Sequence, residues 1–185
     1  MEPASGKTLW SYPWENPHNV HGAQPLYHDG FLFLTAGYNT GGCIMLKVDG
    51  AKVEKAWDRG PEGDPRSKQV APIRDGEHFY ANSEGTLVCL QWPDGKVRWA
   101  DKGVGLGGGG SFVRCGDKLV ALTEGGKLEL IQATPQACKL ISQVQVFTGK
   151  ENWSTPLVYR GRLYVKGPKE LACFDIRASE ASKAK

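Results

Sequence analysis

Two histidines three residues apart, His18 and His21, stand in the stretch Pro13-Trp14-Glu15-Asn16-Pro17-His18-Asn19-Val20-His21-Gly22. An HxxH spacing in a loop could offer a metal ion two imidazoles, but a zinc site needs a third protein ligand and the sequence puts none beside them. No metal centre is expected. The run Gly103-Val104-Gly105-Leu106-Gly107-Gly108-Gly109-Gly110 contains a GxGxxG string. In a dinucleotide site such glycines let the backbone approach a pyrophosphate at a helix N-terminus. Here a strand pattern, Ser111-Phe112-Val113, follows instead, so the run reads as bare loop backbone. The segment Asp58-Arg59-Gly60-Pro61-Glu62-Gly63-Asp64-Pro65 carries three carboxylates. Its two prolines break the alternation of oxygen ligands that a calcium loop requires, which leaves a solvated surface loop.

The five cysteines form no CxxC motif and no Cys-His pair at ligand spacing, and their odd number argues against a disulfide framework. Cys43, Cys89 and Cys173 fall at matching places in strand patterns and are expected as small core residues. His28 and His78 lie in hairpins, where exposed polar side chains are routine. No serine or cysteine stands in a nucleophile elbow or beside an evident base. No catalytic residue is assigned.

The elements that position these groups are legible in residues 70–99. Val70 to Arg74 reads as a strand and Asp75-Gly76 as a tight turn. His78 to Ala81 and Thr86 to Trp92 are two further strands, and Pro93-Asp94-Gly95 turns the chain into a fourth, Lys96 to Trp99. Turns this short allow only an antiparallel meander. Residues 23–57, 109–146 and 154–177 repeat the unit with more or less decay; 109–146 has lost the tryptophan of its last strand. The turn glycines Gly30, Gly76, Gly116 and Gly161 are spaced 46, 40 and 45 residues apart. A four-strand repeat of roughly 40–50 residues marks a β-propeller, one blade per repeat. The predicted fold is all-β, about four blades within residues 1–177, with 178–185 a disordered tail.

The last repeat stops after its third strand, and residues 5–11 (Ser-Gly-Lys-Thr-Leu-Trp-Ser) supply a fourth strand with no first three before it. Either this segment pairs antiparallel with 171–177, in the same chain or in a second copy, or the chain is part of a longer propeller. An open stack would bare an apolar face at each end, rich in residues such as Leu32, Phe33 and Leu34.

Composition narrows the partners. A net charge of +3 with scattered basic residues gives nucleic acid no electrostatic footprint. No apolar run approaches the ~20 residues of a membrane-spanning helix. The start, MEPASGKTLW, has no hydrophobic signal core, so nothing in this chain directs export.

The stretches GKTLW (6–10), GTLVCLQWPDGKVRW (85–99), GKLELI (126–131) and STPLVYRGRLYVKGPKELACFDIR (154–177) resemble the PQQ-like repeats of quinoprotein dehydrogenases and of the outer-membrane assembly lipoprotein. The resemblance covers about residues 5–177 and is closest to the last blades of exported bacterial propellers. It implies a ring of seven or eight blades, of which this chain holds part, and a periplasmic or extracellular location. It implies that Trp10, Trp57 and Trp99 dock between adjacent blades. Ligands of such propellers bind where blade-to-blade connections meet the second-to-third strand loops. That rim would carry Trp14, His21, Tyr38, Asn39 and Trp153. The function so implied is a non-enzymatic binding or scaffold module. Its partner would be a protein, a small molecule or a polysaccharide, with the missing half of the ring or a second copy completing it. The competing reading is a PQQ-dependent dehydrogenase-like oxidoreductase or a fragment of one. The vicinal cysteine pair that packs over the quinone in those enzymes is absent here, so no cofactor is expected.

Overall fold

Alternation along the strand His78–Ser83 decides the architecture: Phe79 and Ala81 turn to one side, Tyr80 to the other, and all three are buried. A strand buried on both faces needs a neighbour on each side. The computed structural model describes residues 2–16, 19–38 and 41–177. Its first sheet is β1 (Leu26–His28), β2 (Phe31–Ala36), β3 (Gly42–Asp49) and β4 (Lys52–Asp58). The second is β5 (Ile73–Asp75), β6 (His78–Ser83), β7 (Thr86–Gln91) and β8 (Val97–Asp101). The third is β9 (Ser111–Cys115), β10 (Lys118–Leu122), β11 (Lys127–Ala133) and β12 (Cys138–Gln145). The fourth has three strands, β13 (Leu157–Tyr159), β14 (Arg162–Lys166) and β15 (Leu171–Asp175). Each sheet is an antiparallel meander in chain order, and the described residues contain no helix.

The core is three layers, one between each pair of adjacent sheets. Phe33, Cys43 and Met45 of the first sheet meet Phe79, Val88, Leu90 and Trp92 of the second. Tyr80, Leu87 and Cys89 meet Phe112, Leu119, Ala121 and Ile131 of the third. Val120, Leu122 and Leu128 meet Leu163 and Val165 of the fourth, with Phe147 from the connection. This stack of meanders is a propeller arc.

A bulge recurs in each complete sheet. The third-to-fourth strand registers slip between Met45 and Leu46, between Cys89 and Leu90, and between Leu130 and Ile131. Each slip leaves one extra residue in the outer strand and re-aims the side chain after it. Those side chains are Trp57, opposite Met45, Trp99, opposite Cys89, and Ser142, opposite Leu130. Trp57 donates its indole N–H to the Pro93 carbonyl (2.8 Å), and Trp99 donates to the Thr134 carbonyl (2.8 Å). Both acceptors lie in the third-to-fourth strand turn of the next sheet. Gly95 beside Pro93 has no Cβ because the Trp57 ring fills that space, 2.5 Å from where the atom would be. Trp10 is half-buried in the N-terminal segment.

Four expectations need correction. Residues 5–11 belong to none of the four sheets, so the chain makes no such pairing with 171–177 in itself. The segment instead leads into an extended strap in which Trp10, Tyr12 and Trp14 turn inward while Ser11, Pro13 and Glu15 stay exposed. Tyr12 and Trp14 share a small cavity with Leu34 and Thr35, so apolar burial on the first sheet is available locally. The outer face of that sheet is accordingly not bare: Ile44 and Leu46 are fully buried, and Leu32 and Leu34 half-buried. Phe33 alternates to the other side and packs on Phe79, ring centroids 4.7 Å apart. The last sheet is the bare one, with Leu157, Tyr159 and Leu171 all more than half exposed. Cys173 shares that outward face and is exposed, whereas Cys43 and Cys89 are core residues. His78 is half-buried, its ring nitrogen 3.0 Å from the Tyr80 hydroxyl, because the second sheet is covered on both faces. The tail 178–185 lies outside the described residues.

Candidate functional site

Loops that join strand four of one sheet to strand one of the next share a rim with the second-to-third strand turns. Residues 59–72, 102–110 and 146–156 are three such connections, and Tyr38 and residues 123–126 belong to two of the turns. Their side chains form a connected band.

Lys68, in the first connection, lays its Nζ over the ring of Tyr38 at 5.4 Å from the centroid, a cation–π contact. The same Nζ lies beside Gly108 of the glycine-rich loop. Gly108 donates its N–H to Glu124 Oε2 (3.1 Å), and the other carboxylate oxygen accepts from Trp153 Nε1 (3.1 Å). Glu124 is fixed by its backbone as well: its N–H donates to the Leu106 carbonyl (2.7 Å), and its carbonyl accepts from Asn152 Nδ2 (2.9 Å). The loop itself is pinned by fully buried Asn82, whose Nδ2 donates to the carbonyls of Gly107 (2.9 Å) and Gly110 (2.7 Å). Gly109 seats the Trp153 indole, since a Cβ there would lie 2.1 Å from Cδ1. Held in this way, Trp153 still leaves 48% of its surface to solvent.

The strap end continues the band. Trp14 and His21 rings pack with centroids 5.0 Å apart, and His21 Nε2 accepts from Asn16 Nδ2 (3.2 Å). Asn16 also closes its own loop, donating to the Val20 carbonyl (2.9 Å) and accepting the Val20 N–H (3.2 Å). Gly22, next to His21, abuts the Lys68 carbonyl. The backbone therefore links the two pairs.

Four of the five expected rim residues thus fall into one chain of neighbours, Trp14 with His21, Tyr38 through Lys68, and Trp153 through Glu124. Asn39 and His18 lie outside the described residues. Lys68 and Glu124, which join the others, were not anticipated. The one available signal was Glu124 followed by two glycines in a second-to-third strand turn, matching Glu84-Gly85 in the second unit. Glu84 there meets Arg66 (3.5 Å) instead of an indole.

Within the band the Glu124 carboxylate is taken up by Gly108 and Trp153, and the Trp153 ring is left half exposed. The nearby acidic loop is also self-occupied: Asp58 accepts from the Gly60 N–H (2.8 Å) and Asp64 from the Ser83 hydroxyl (2.6 Å). Among the described residues no three His, Cys, Asp or Glu side chains converge to hold a metal ion. The thiols of Cys43 and Cys89 are held protonated, pushed up to about 12 and about 11 by burial.

Residues 1–103 match the family described as outer membrane protein assembly factor BamB, a PQQ-like repeat family. The chain belongs to that family. Among solved structures it resembles BamB from Moraxella catarrhalis at 14% identity and a TM-score of 0.59, over 82% of this chain and 41% of that one. It also resembles a glutaminyl cyclase of Myxococcus xanthus (19%, TM-score 0.53, 85% and 66%) and a putative 6-phosphogluconolactonase of Bacteroides fragilis (12%, 0.55, 86% and 55%). At these identities the likeness is one of fold. No curated protein matches the chain. The chain spans 41% of the Moraxella BamB, so its four sheets correspond to part of a BamB ring.

Proposed function

We propose that this BamB-family chain is a non-catalytic docking module of the bacterial envelope, and that its rim holds a protein partner during assembly of outer-membrane proteins. The observation that carries this reading is Trp153, half exposed yet fixed by Glu124 and Gly109. An aromatic anchor that is already ordered loses little entropy on binding. The family description, outer membrane protein assembly factor, supports this process and an envelope location. The missing part of the ring, or a second copy, would complete the propeller beside this rim.

The oxidoreductase alternative draws no support from the rim. PQQ is a tricarboxylic quinone and calls for several cationic donors, whereas the glycine loop here has the Glu124 carboxylate beside it as well as the Lys68 ammonium. None of the five cysteines is adjacent to another in sequence to cover a quinone. The residues present do not fit that cofactor.

Photo-crosslinking tests the proposal. A benzophenone side chain placed at Trp153, Tyr38 or His21 in the native host should capture a defined envelope protein. The same group at Lys139, on the outer strand of the third sheet, should not. Equal capture at Lys139, or none at the rim, would overturn it.

A further inference from the structure

Glu129 breaks the apolar pattern of the repeat. It stands one residue before the third-strand residue at the bulge, the place of Ile44 in the first sheet and Val88 in the second, and both of those are buried apolar side chains. Paired with Ala121, it shares the face of β11 that carries Ile131 and Ala133 toward the second sheet, and not the face of Leu128 and Leu130. Only 4% of Glu129 is exposed, and among the described residues its Oε2 has no hydrogen-bond partner. A carboxylate at that depth is costly unless donors meet it. A position where the chain departs from its own rule at such a cost is where a ligand is to be sought.

A cavity of about 340 Å³ lies on this side of the third sheet, against the connection 102–110. That volume is within the range of small-ligand sites, roughly 300–1,000 Å³. Glu129, Thr123 and Gln143 supply polar groups, Gly103 and Gly105 a wall of backbone without side chains, and Leu140 an apolar wall. A Cβ at Gly105 would meet nothing within 4 Å, so space lies open before that wall. Lys127 also borders the cavity, but its ammonium donates to Gln143 Oε1 (3.5 Å). The walls come from the third sheet and from the connection that joins the second to it, both four-stranded, so the cavity does not depend on what lies before or after the chain. It shares the turn 123–126 with the rim and is lined by none of Tyr38, Lys68 or Trp153.

We propose that this cavity is a second binding site, for a guanidinium group. Its N–H groups donate to the Glu129 carboxylate, and its flat faces lie against the bare backbone of Gly103 and Gly105 and against Leu140. A guanidinium is planar, always charged and more weakly hydrated than an ammonium, so it enters a half-enclosed site at lower cost and can meet a carboxylate with two parallel bonds. Lys127 is the internal competitor, a point charge two residues along the same face of β11. Two sources present the group, an arginine side chain on a protein and a small guanidino compound. The site does not rest on the docking role of the rim.

The test titrates methylguanidinium, methylammonium, L-arginine and acetyl-Gly-Arg-Gly-amide into the isotope-labelled full chain at millimolar concentration. Methylguanidinium should shift the amide resonances of Gly103, Gly105, Thr123 and Gln143 and bind more tightly than methylammonium. Glu129→Gln keeps the shape and removes the charge, and should weaken binding about tenfold or more. Gly105→Leu should block the cavity from the opposite wall with Glu129 intact, and it serves if the Glu129 variant does not fold. Lys127→Met removes the competing charge and should tighten binding by up to about fivefold. Tighter binding of the tripeptide than of L-arginine upholds the site with a protein's arginine as its source, and the reverse upholds it with a small molecule. Absence of shifts at these amides, equal binding of methylammonium, or an affinity untouched by Glu129→Gln would overturn the site. Weaker binding in Lys127→Met would assign the cavity to an anion and overturn it as well.

Discussion

Trp99 reaches from the outer strand of the second sheet to the carbonyl of Thr134 in the third, 2.8 Å away and 35 residues on in sequence. The contact ties two meanders that share no strand pairing. Trp99→Ala should therefore cost about 3–5 kcal/mol, the range for removing a large packed aromatic. Trp99→Phe keeps much of the packing and loses the bond, about 1 kcal/mol plus a residual gap. Urea unfolding of the three proteins separates these costs; equal loss in both variants would show that the hydrogen bond dominates.

Glu124 is the hub of the rim, and its carboxylate is the part that faces Trp153. Glu124→Gln keeps one acceptor oxygen and should leave stability within about 0.5 kcal/mol of the parent. Glu124→Ala frees the indole and should red-shift and quench the Trp153 fluorescence, read against a Trp153→Phe reference. An unchanged emission spectrum would mean that Glu124 does not hold the ring.

Gly109 tests the same seat from below. A methyl group there would occupy the position of the indole edge. Gly109→Ala should displace Trp153 with little loss of global stability, because the ring is half exposed and can move outward. Rim crosslinking from Trp153 should fall in parallel.

Glu129 is buried, with Oε2 free of a hydrogen bond among the described residues. Burial raises its pKa above the usual glutamate value near 4.5, and Lys127 offsets part of the rise. A carboxyl whose folded pKa is raised binds its proton more tightly in the folded chain. Stability from this group is full below its unfolded pKa and is lost as pH rises through the folded value. Glu129→Gln should remove that loss, so the variant gains stability relative to the parent on going from pH 4 toward pH 7. Parallel stability curves across this window would contradict the assignment.

Leu157, Tyr159 and Leu171 form an apolar outer face on the last sheet, the kind of surface that draws partners. Head-to-tail stacking of a second copy against this face would cover it. Sedimentation should show concentration-dependent association, abolished by Leu171→Lys. A chain that stays monomeric at high concentration would show that this face is tolerated bare.

Much of the fold was written locally. The turn pairs such as Asp29-Gly30 and the alternation of strands such as His78–Ser83 define meanders from a few residues each, because hairpin geometry depends on the residues in the hairpin. The 40–46-residue spacing of turn glycines then gives the repeat, and the repeat gives the propeller. The docking role of Trp57 and Trp99 came from the resemblance, and their recurrence at one place in the unit agreed with it. Which face of a strand meets another sheet was not local. Phe33 and Leu34 are neighbours in sequence and equally apolar, yet one is sealed against Phe79 and the other faces the strap of Tyr12 and Trp14. Cys89 and Cys173 hold the same place in their units, but one is covered by a following sheet and the other is not. The rim was half legible, its aromatic residues marked by their loops. Lys68 and Glu124 gained their roles only when loops from different sheets converged, since a ring partner 29 or 30 residues away leaves no periodic trace in the chain. Tertiary packing decided those contacts because side chains in loops are placed by whatever the sheets bring beside them.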